Sequence, residues 1–215
     1  MHDNGRFRSN PLRITFFVNS IVGYVDNPSA LYTRAFATSL ATLGNNIRVV
    51  EERQNEMLTR TLRTTGSRAS RHVYERFPLL QHSTYDPRTG APLLEWLSRE
   101  VSLIDIAIAV QGVNTELTRW IANISREGLT RAFLVWEPEA LDESDIVALE
   151  LEKFDIILAP TPIARLPSLA VQPSLAEQDL IDDIDLALAG PLSDNLADAD
   201  AAAATFERDF AARIS

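Results

Sequence analysis

Ile14-Thr-Phe-Phe-Val-Asn19 is the stretch that decides the fold of this chain. It is almost entirely apolar, rich in β-branched and aromatic residues, and shows no alternation of apolar and polar positions. That pattern is typical of a strand buried on both faces of a parallel sheet. After a polar loop, Ala30–Leu43 has a helical pattern, with Ser29 as the expected N-cap and Gly44 as the expected C-cap. Because Ile47–Glu51 then resumes as a strand, the segment predicts a βαβ unit.

The same rhythm continues along the chain. Three further apolar segments end in polar residues or a proline, namely Ile104–Gln111, Ala132–Glu137 and Phe154–Pro160. Helical patterns lie between the strands, over Met57–Thr65, Leu93–Val101, Thr115–Ile124 and Glu143–Lys153. Val73–Phe77 fits either a short edge strand or a helical turn, and Tyr85–Gly90 fits a turn. We therefore expect an α/β fold, a single Rossmann-like three-layer domain with a mainly parallel sheet of five or six strands and helices on both faces.

The domain boundaries follow from changes of composition. Residues 1–11 are polar and predict a flexible N-terminal lead, whereas residues 12–190 hold the α/β pattern, with Ile184–Ala189 as a candidate last strand. Residues 191–215 are rich in alanine and predict a C-terminal helix or tail.

The composition excludes several classes of function. A net charge of −10 disfavours nucleic acid and anionic membrane surfaces as partners. The absence of cysteine removes disulfides, thiolate nucleophiles and Cys-ligated metals, and it fits a cytoplasmic protein. No apolar stretch approaches the ~20 residues of a membrane-spanning helix. The three histidines show no metal-ligand spacing, so no metal site is expected.

Candidate binding residues follow the predicted strands, because the carboxyl ends of parallel strands line the ligand edge of such a fold. They are Asn19, Ser20 and Gly23 after the first strand, Glu51 and Arg53 after the second, and Gln111, Trp136 and Glu137 further along. Each group also has a structural interpretation, as an ordinary connection, a solvated charge cluster or a polar turn. The dinucleotide fingerprint, the phosphate-binding P-loop and the GxSxG elbow are all absent, so no cofactor and no catalytic residue is assigned.

Several of these segments together resemble a known family. Arg13–Asn19, Asn27–Ala35, Leu40–Asn45 and Arg48–Arg53 are similar to the opening of a two-Rossmann-domain (GT-B) glycosyltransferase of the spore-maturation-type group. Phe154–Thr161 resembles a later strand of the same N-terminal half. Asn45 stands where the family often has a histidine after the glycine.

The resemblance implies an acceptor-side domain that binds a sugar or nucleotide-sugar type ligand at the strand ends. In that family a second Rossmann domain grips the donor, and we expect this chain of 215 residues to be too short to contain one. Activity would then need a partner chain. Either Ile184–Asn195 is the first strand and turn of such a second domain, or Ala201–Ile214 folds back and caps the first domain.

Two alternatives stay open on the sequence. One is a non-catalytic interaction or scaffold protein built on a degenerate glycosyltransferase domain, with the acidic tail as a docking helix and a protein partner or homo-oligomer as its target. The other is a flavodoxin-like small-ligand or signalling domain. Two absences disfavour it: the first strand does not end in the paired acidic residues of a receiver, and there is no Ser/Thr-rich flavin phosphate loop.

Overall fold

Seven parallel strands form the centre of the molecule. The computed structural model describes residues 11–22, 28–65, 71, 73–75, 77–86, 91–159, 163, 166 and 168–170. The strands are β1 (Arg13–Val18), β2 (Asn46–Glu52), β3 (Gln81–Tyr85), β4 (Ile106–Val110), β5 (Thr130–Leu134), β6 (Ile156–Ala159) and β7 (Ser168–Ala170). Their order across the sheet is β3-β2-β1-β4-β5-β6-β7, and every neighbouring pair is parallel. The predicted α/β Rossmann-like class is confirmed, with a three-residue β7 added at one edge of the sheet.

Helices cover both faces of this sheet. They are α1 (Pro28–Thr42), α2 (Glu56–Thr65), α3 (Ala91–Ser102), α4 (Thr115–Asn123) and α5 (Glu143–Ala148), with 3-10 turns at Pro138–Ala140 and Leu151–Lys153. Residues of α1 and α2 pack into one buried cluster, and residues of α3, α4 and α5 pack into a second cluster on the opposite face. The chain therefore changes face between β3 and β4, as a doubly wound fold requires.

The side chains of β1 show why the strand is apolar throughout. Phe16 points to the first face, where its ring meets Phe36 of α1 at a centroid distance of 6.0 Å, edge to face. Phe17 points to the second face and meets Trp96 of α3 at 6.3 Å. Since a strand's side chains alternate between faces, only a continuous apolar run fills both layers.

Most predicted elements are present with small shifts of their bounds. Gly44 ends α1 as expected, with a φ of +94° that favours glycine. Ser29 is not the N-cap, because α1 begins one residue earlier at Pro28. Residues 73–75 are helical, which decides between the two interpretations of that segment. The strand β3 was not predicted, and Tyr85 ends it where a turn was expected to begin.

The amino ends of four strands are joined by two matching ion pairs. Arg13 at the start of β1 binds Asp105 before β4, with a guanidinium-to-carboxylate distance of 3.0 Å. Arg131 at the start of β5 binds Asp155 before β6 at 2.7 Å. In both pairs the arginine backbone N–H also donates to the same aspartate, at 2.9 and 2.8 Å. We call these the Arg–Asp forks. They fix the register of the strands at their amino ends, opposite the carboxyl ends where a ligand site is expected.

Candidate functional site

The carboxyl ends of β1 and β4 form the place where a ligand site is expected. These two strands are neighbours in the sheet. After β1 the chain adds β2 and β3 on one side, and after β4 it adds β5, β6 and β7 on the other side. Such a reversal of strand order opens a crevice outside the strand ends, and open α/β folds bind ligands there. Residues Asn19 to Val22 follow β1 at this point, and Gln111 follows β4.

A buried carboxylate organises the β1 side of the crevice. Glu51 is completely buried, and four hydrogen-bonding groups surround its two oxygens. These are Ser20 Oγ at 3.2 Å, the Ile21 backbone N–H at 3.1 Å, Asn55 Nδ2 at 3.5 Å and His82 Nε2 at 3.3 Å. We call Ser20, Ile21, Glu51, Asn55 and His82 the Glu51 cluster. Ser20, Ile21 and Asn55 donate to the carboxylate, and His82 donates as well in the tautomer with its proton on Nε2.

The same cluster fixes the first residues of the loop after β1. The Ser20 hydroxyl accepts a hydrogen bond from the Val22 N–H at 3.3 Å while it donates to Glu51. On the other side of the loop, the Ile21 carbonyl accepts a hydrogen bond from the guanidinium of Arg34, which is buried in α1 and lies 5.7 Å above the Phe77 ring. Ile21 is therefore held at both its N–H and its C=O.

Asn55 ties the cluster to the start of α2. Its Oδ1 accepts from the Leu58 N–H at 2.6 Å, and its Nδ2 donates to the Glu52 carbonyl at 2.8 Å as well as to Glu51. A side-chain oxygen that accepts from the first turn is the usual way to cap a helix. The position of α2 and the position of the Glu51 carboxylate are thus coupled.

His82 connects the cluster to the protein surface. The imidazole Nδ1 lies 3.0 Å from the hydroxyl of Tyr74, which is an exposed residue. A proton on Nε2 lets the ring donate to Glu51 and accept from Tyr74 at once. Partial burial of the Tyr74 hydroxyl and the charge of Glu51 raise its pKa further above the ordinary 10.0, so the hydroxyl is protonated at neutral pH and can donate to His82.

On the β4 side, the side chain of Gln111 bridges two strand ends. Its Oε1 accepts hydrogen bonds from the backbone N–H of Trp136 at 2.9 Å and of Glu137 at 3.0 Å, and its Nε2 donates to the Glu137 carbonyl at 3.3 Å. The turn after it requires a glycine, since Gly112 has a φ of +92°. The amide of Gln111 therefore holds the ends of β4 and β5 together.

Trp136 and Tyr32 form an aromatic pair beside this bridge. Their ring centroids are 3.9 Å apart with an interplanar angle of 63°. Burial strongly raises the pKa of the Tyr32 hydroxyl, which therefore stays neutral. Because α1 supplies both Tyr32 and Arg34, this helix contacts both sides of the crevice.

The predicted site residues lie at this edge in different environments. Ser20 and Glu51 are buried, Asn19, Gln111 and Trp136 are partly buried, and Arg53 and Glu137 are exposed. Gly23 lies outside the described residues. Arg34, Asn55, Tyr74 and His82 were not among the predicted site residues. Arg34 occupies a position on the apolar face of a predicted helix, and a charge in that position was the available signal.

Other features of the described residues lie elsewhere or are absent. A shallow groove of about 480 Å³ runs along α4, on the opposite face of the sheet from the Glu51 cluster, and is lined by Thr115, Glu116, Arg119, Trp120 and Asn123. Among the described residues, no group of three or more His, Asp or Glu side chains could hold a metal ion. None of the helices in that part of the chain is long and apolar enough to span a bilayer.

Comparison with known proteins adds no family to this picture. No protein-family model matches the chain, and no curated protein matches it.

Proposed function

We propose that this chain is a glycosyltransferase-related domain, the acceptor-side half, which binds a sugar or nucleotide-sugar type ligand in the crevice between the ends of β1 and β4. The observation that carries the proposal is the reversal of strand order at β1 and β4. If active, the domain transfers a glycosyl group together with residues supplied by a partner chain.

The groups at this edge have the chemistry that sugar recognition needs. Asn19 and Gln111 are partly buried amides, Glu137 is an exposed carboxylate, and Trp136 offers a partly buried indole. Amides and carboxylates hydrogen-bond hydroxyl groups, and an aromatic ring packs against the apolar face of a sugar ring. Gln111 already bridges Trp136 and Glu137, and its Nε2 keeps a second N–H for a ligand. These groups come from three strand ends that parallel pairing brings to one edge.

Most of the net negative charge of the chain lies in its last 45 residues. Residues 171–215 hold ten acidic and two basic residues, a net charge of −8 out of the −10 of the whole chain. The first 170 residues therefore carry a net charge of only −2. The strand ends belong to this first part of the sequence, whose net charge is close to neutral.

Thermal-shift screening tests this proposal. Nucleotide sugars, free nucleotides and flavins are added separately to the purified full chain. A ligand present at a hundred times its Kd stabilises the native state by about 2.7 kcal/mol, so we expect a clear rise in Tm for nucleotide sugars or nucleotides. No rise with any of the three classes, combined with stable oligomers by light scattering, would overturn the proposal.

A matched pair of variants locates the binding site. Glu137→Ala removes an exposed carboxylate at the ligand edge, and Glu127→Ala removes an exposed carboxylate from the loop before β5, at the opposite edge. We expect the first to weaken binding of the ligand found in the screen and the second to leave its Kd unchanged. Equal effects of the two substitutions would place the ligand elsewhere.

The second candidate function is a non-catalytic interaction protein. The concentration of negative charge in residues 171–215 favours it, because a segment with a net charge of −8 suits a basic protein partner. This candidate predicts oligomers or a captured basic partner, and no ligand-induced rise in Tm. A cytoplasmic location and the absence of nucleic-acid binding are part of both proposals.

A further inference from the structure

The loop after β1 is held by buried side chains from two other elements. Glu51 of β2 accepts hydrogen bonds from the Ser20 hydroxyl at 3.2 Å and from the Ile21 N–H at 3.1 Å, and Arg34 of α1 donates to the Ile21 carbonyl. Loop backbones at a surface are ordinarily satisfied by water. Here Ser20, Ile21 and Val22 are at most 3% exposed, and two charged groups, both at least 99% buried, replace water at the N–H and at the C=O of Ile21.

Burying these charges is costly, and stability alone does not explain them. Removing an ionised group from water costs several kcal/mol, and well-packed apolar residues in the same place are often as stabilising or more so. What the charged groups supply is a fixed orientation of the chain, because charge-assisted hydrogen bonds to a carboxylate and from a guanidinium are short and directional. The feature they direct is the loop from Ser20 to Val22.

His82 gives this buried arrangement a link to the surface. The side chain of His82 is 17% exposed, and its second ring nitrogen lies 3.0 Å from the hydroxyl of the exposed Tyr74. The imidazole therefore orients the carboxylate of Glu51 from the side of β3, while Asn55 orients it from the start of α2.

We infer that Glu51, Arg34 and His82 are positioning residues of the ligand edge. They touch no ligand themselves. Glu51 and Arg34 hold Ile21 at its N–H and its C=O, and His82 holds Glu51, so that the buried segment from Ser20 to Val22 leaves β1 beside the ligand edge in one conformation. This inference rests on the proposed function only in its last step, the effect on a ligand.

Hydrogen exchange at single amides tests the inference without any ligand. In Glu51→Gln one side-chain oxygen becomes an NH₂ group, which faces donors and cannot accept from them. We expect the Ile21 amide of the full chain to exchange about tenfold faster or more, beyond what any change in global stability explains. NMR on the labelled protein measures the exchange rate, and urea denaturation measures the global stability.

Two substitutions of His82 test the same inference in case Glu51→Gln does not fold. His82→Leu removes the donor to Glu51 and leaves the carboxylate in place, whereas His82→Gln restores an N–H donor. We expect faster Ile21 exchange in His82→Leu and a return toward the wild-type rate in His82→Gln. A role in packing alone would leave Ile21 exchange unaltered in both.

Glu100→Gln serves as the matched control. Glu100 pairs with Arg48 of the same strand β2, but Arg48 extends toward the other face of the sheet. We expect this substitution to lower global stability without a specific change at Ile21. The inference is overturned if Ile21 exchange is unchanged in both Glu51→Gln and His82→Leu, or if Glu100→Gln changes it equally.

The ligand arm uses UDP-glucose as its probe. If UDP-glucose binds the wild type, we expect Glu51→Gln to weaken its Kd about tenfold or more with Ile21 exchange increased. Unchanged affinity with a loosened loop would overturn the link between loop and ligand. If UDP-glucose does not bind while Ile21 exchange responds as expected, the positioning role stands and the nucleotide-sugar proposal fails.

Discussion

At the scale of single residues, Arg34 is both a buried hydrogen-bond donor and a packing partner of the core. It is 1% exposed, it donates to the Ile21 carbonyl, and its guanidinium lies over the ring of Phe77. Guanidinium groups tolerate burial better than ammonium groups, because the planar fork is more weakly hydrated and packs on aromatic faces. Arg34 therefore connects the loop after β1 with the apolar core under α1.

Replacing Arg34 is expected to be severe for stability. Arg34→Met keeps an unbranched side chain but removes the donor to Ile21, which leaves a buried carbonyl without that hydrogen bond. We expect the free energy of unfolding to fall by about 2–4 kcal/mol. Arg63→Met on the exposed face of α2 is the control, with an expected change within about 0.5 kcal/mol. Urea denaturation measures both, and similar losses in the two variants would contradict the prediction.

Glu150 is unusual in both its backbone and its charge. It is the one described residue other than glycine with a positive φ, at 54°. Its carboxylate binds Lys153 at 2.5 Å, Asn123 at 2.6 Å and Arg119 at 3.2 Å. The left-handed conformation costs an ordinary residue about 1–2 kcal/mol, so these contacts explain its presence there.

The charge of Glu150 predicts a defined pH dependence. Hydrogen bonds from Lys153 and then Asn123 lower the pKa of Glu150 from its ordinary 4.5 to about 2. A lowered pKa in the native state contributes stability that is present above pH ~4.5 and is lost as pH falls toward ~2. We expect Glu150→Gln to have a lower Tm than wild type at neutral pH, with the difference narrowing over that interval. Thermal melts across the pH range, with the exposed Glu152→Gln as control, measure it, and a difference that is constant with pH would count against the prediction.

At the scale of the elements, the amino ends and the carboxyl ends of the strands carry different interactions. The Arg–Asp forks pin neighbouring strands at their amino ends, and the Glu51 cluster shapes a loop at the carboxyl ends. Each fork joins side chains and backbone of two strands that are distant in sequence, by 92 residues for Arg13 and Asp105. Register errors are costly there, because a slip of one residue turns every side chain to the other face.

The forks are expected to contribute equally and independently. Asp105→Asn and Asp155→Asn each remove the charge that the guanidinium pairs with, and both pairs are partly exposed. We expect each substitution to lower the free energy of unfolding by about 1 kcal/mol, and the double variant by about 2 kcal/mol, since the pairs share no residue. Urea denaturation measures the three variants. A double loss far from the sum would show that the forks are coupled.

The same forks predict how stability changes in acid. Partial burial alone would raise the pKa of Asp155, but the hydrogen bonds and charge of Arg131 outweigh it and lower the pKa, and Arg13 does the same for Asp105. Their contribution is therefore present above the ordinary pKa of 3.8 and is lost as pH falls below it. The stability difference between wild type and the double variant should shrink in that range.

The sequence predicts the central strands well because their burial leaves a local signal. β1, β4 and β6 lie between two layers of helices, so every position except the exposed Arg13 at the start of β1 is buried. β3 reads Gln-His-Ser-Thr-Tyr and has one strand neighbour among the described residues, so its burial pattern carries no such signal. The strand ends of the candidate site were predictable for the same reason. Arg34 and His82 were not, because only the tertiary fold brings them to Glu51.

For the whole molecule, the sheet order predicts a gradient of local stability. β1 and β4 are paired on both sides and covered on both faces, whereas β3 is paired with β2 alone among the described strands. We expect the amides at the centres of β1 and β4 to exchange only through global unfolding, and those of β3 to exchange at least about tenfold faster. Native-state hydrogen exchange measures this, and equal protection of β3 and β4 would contradict it.

The polarity of β3 has a consequence for the behaviour of the protein in solution. An open sheet offers unpaired N–H and C=O groups at its outer strands, and a long apolar strand there recruits other chains into aggregates. In the described sheet the outer strands are the polar, five-residue β3 and the three-residue β7. Neither is a good template for strand addition. The polarity that hides β3 from sequence analysis is therefore also what protects this end of the sheet from edge-to-edge aggregation.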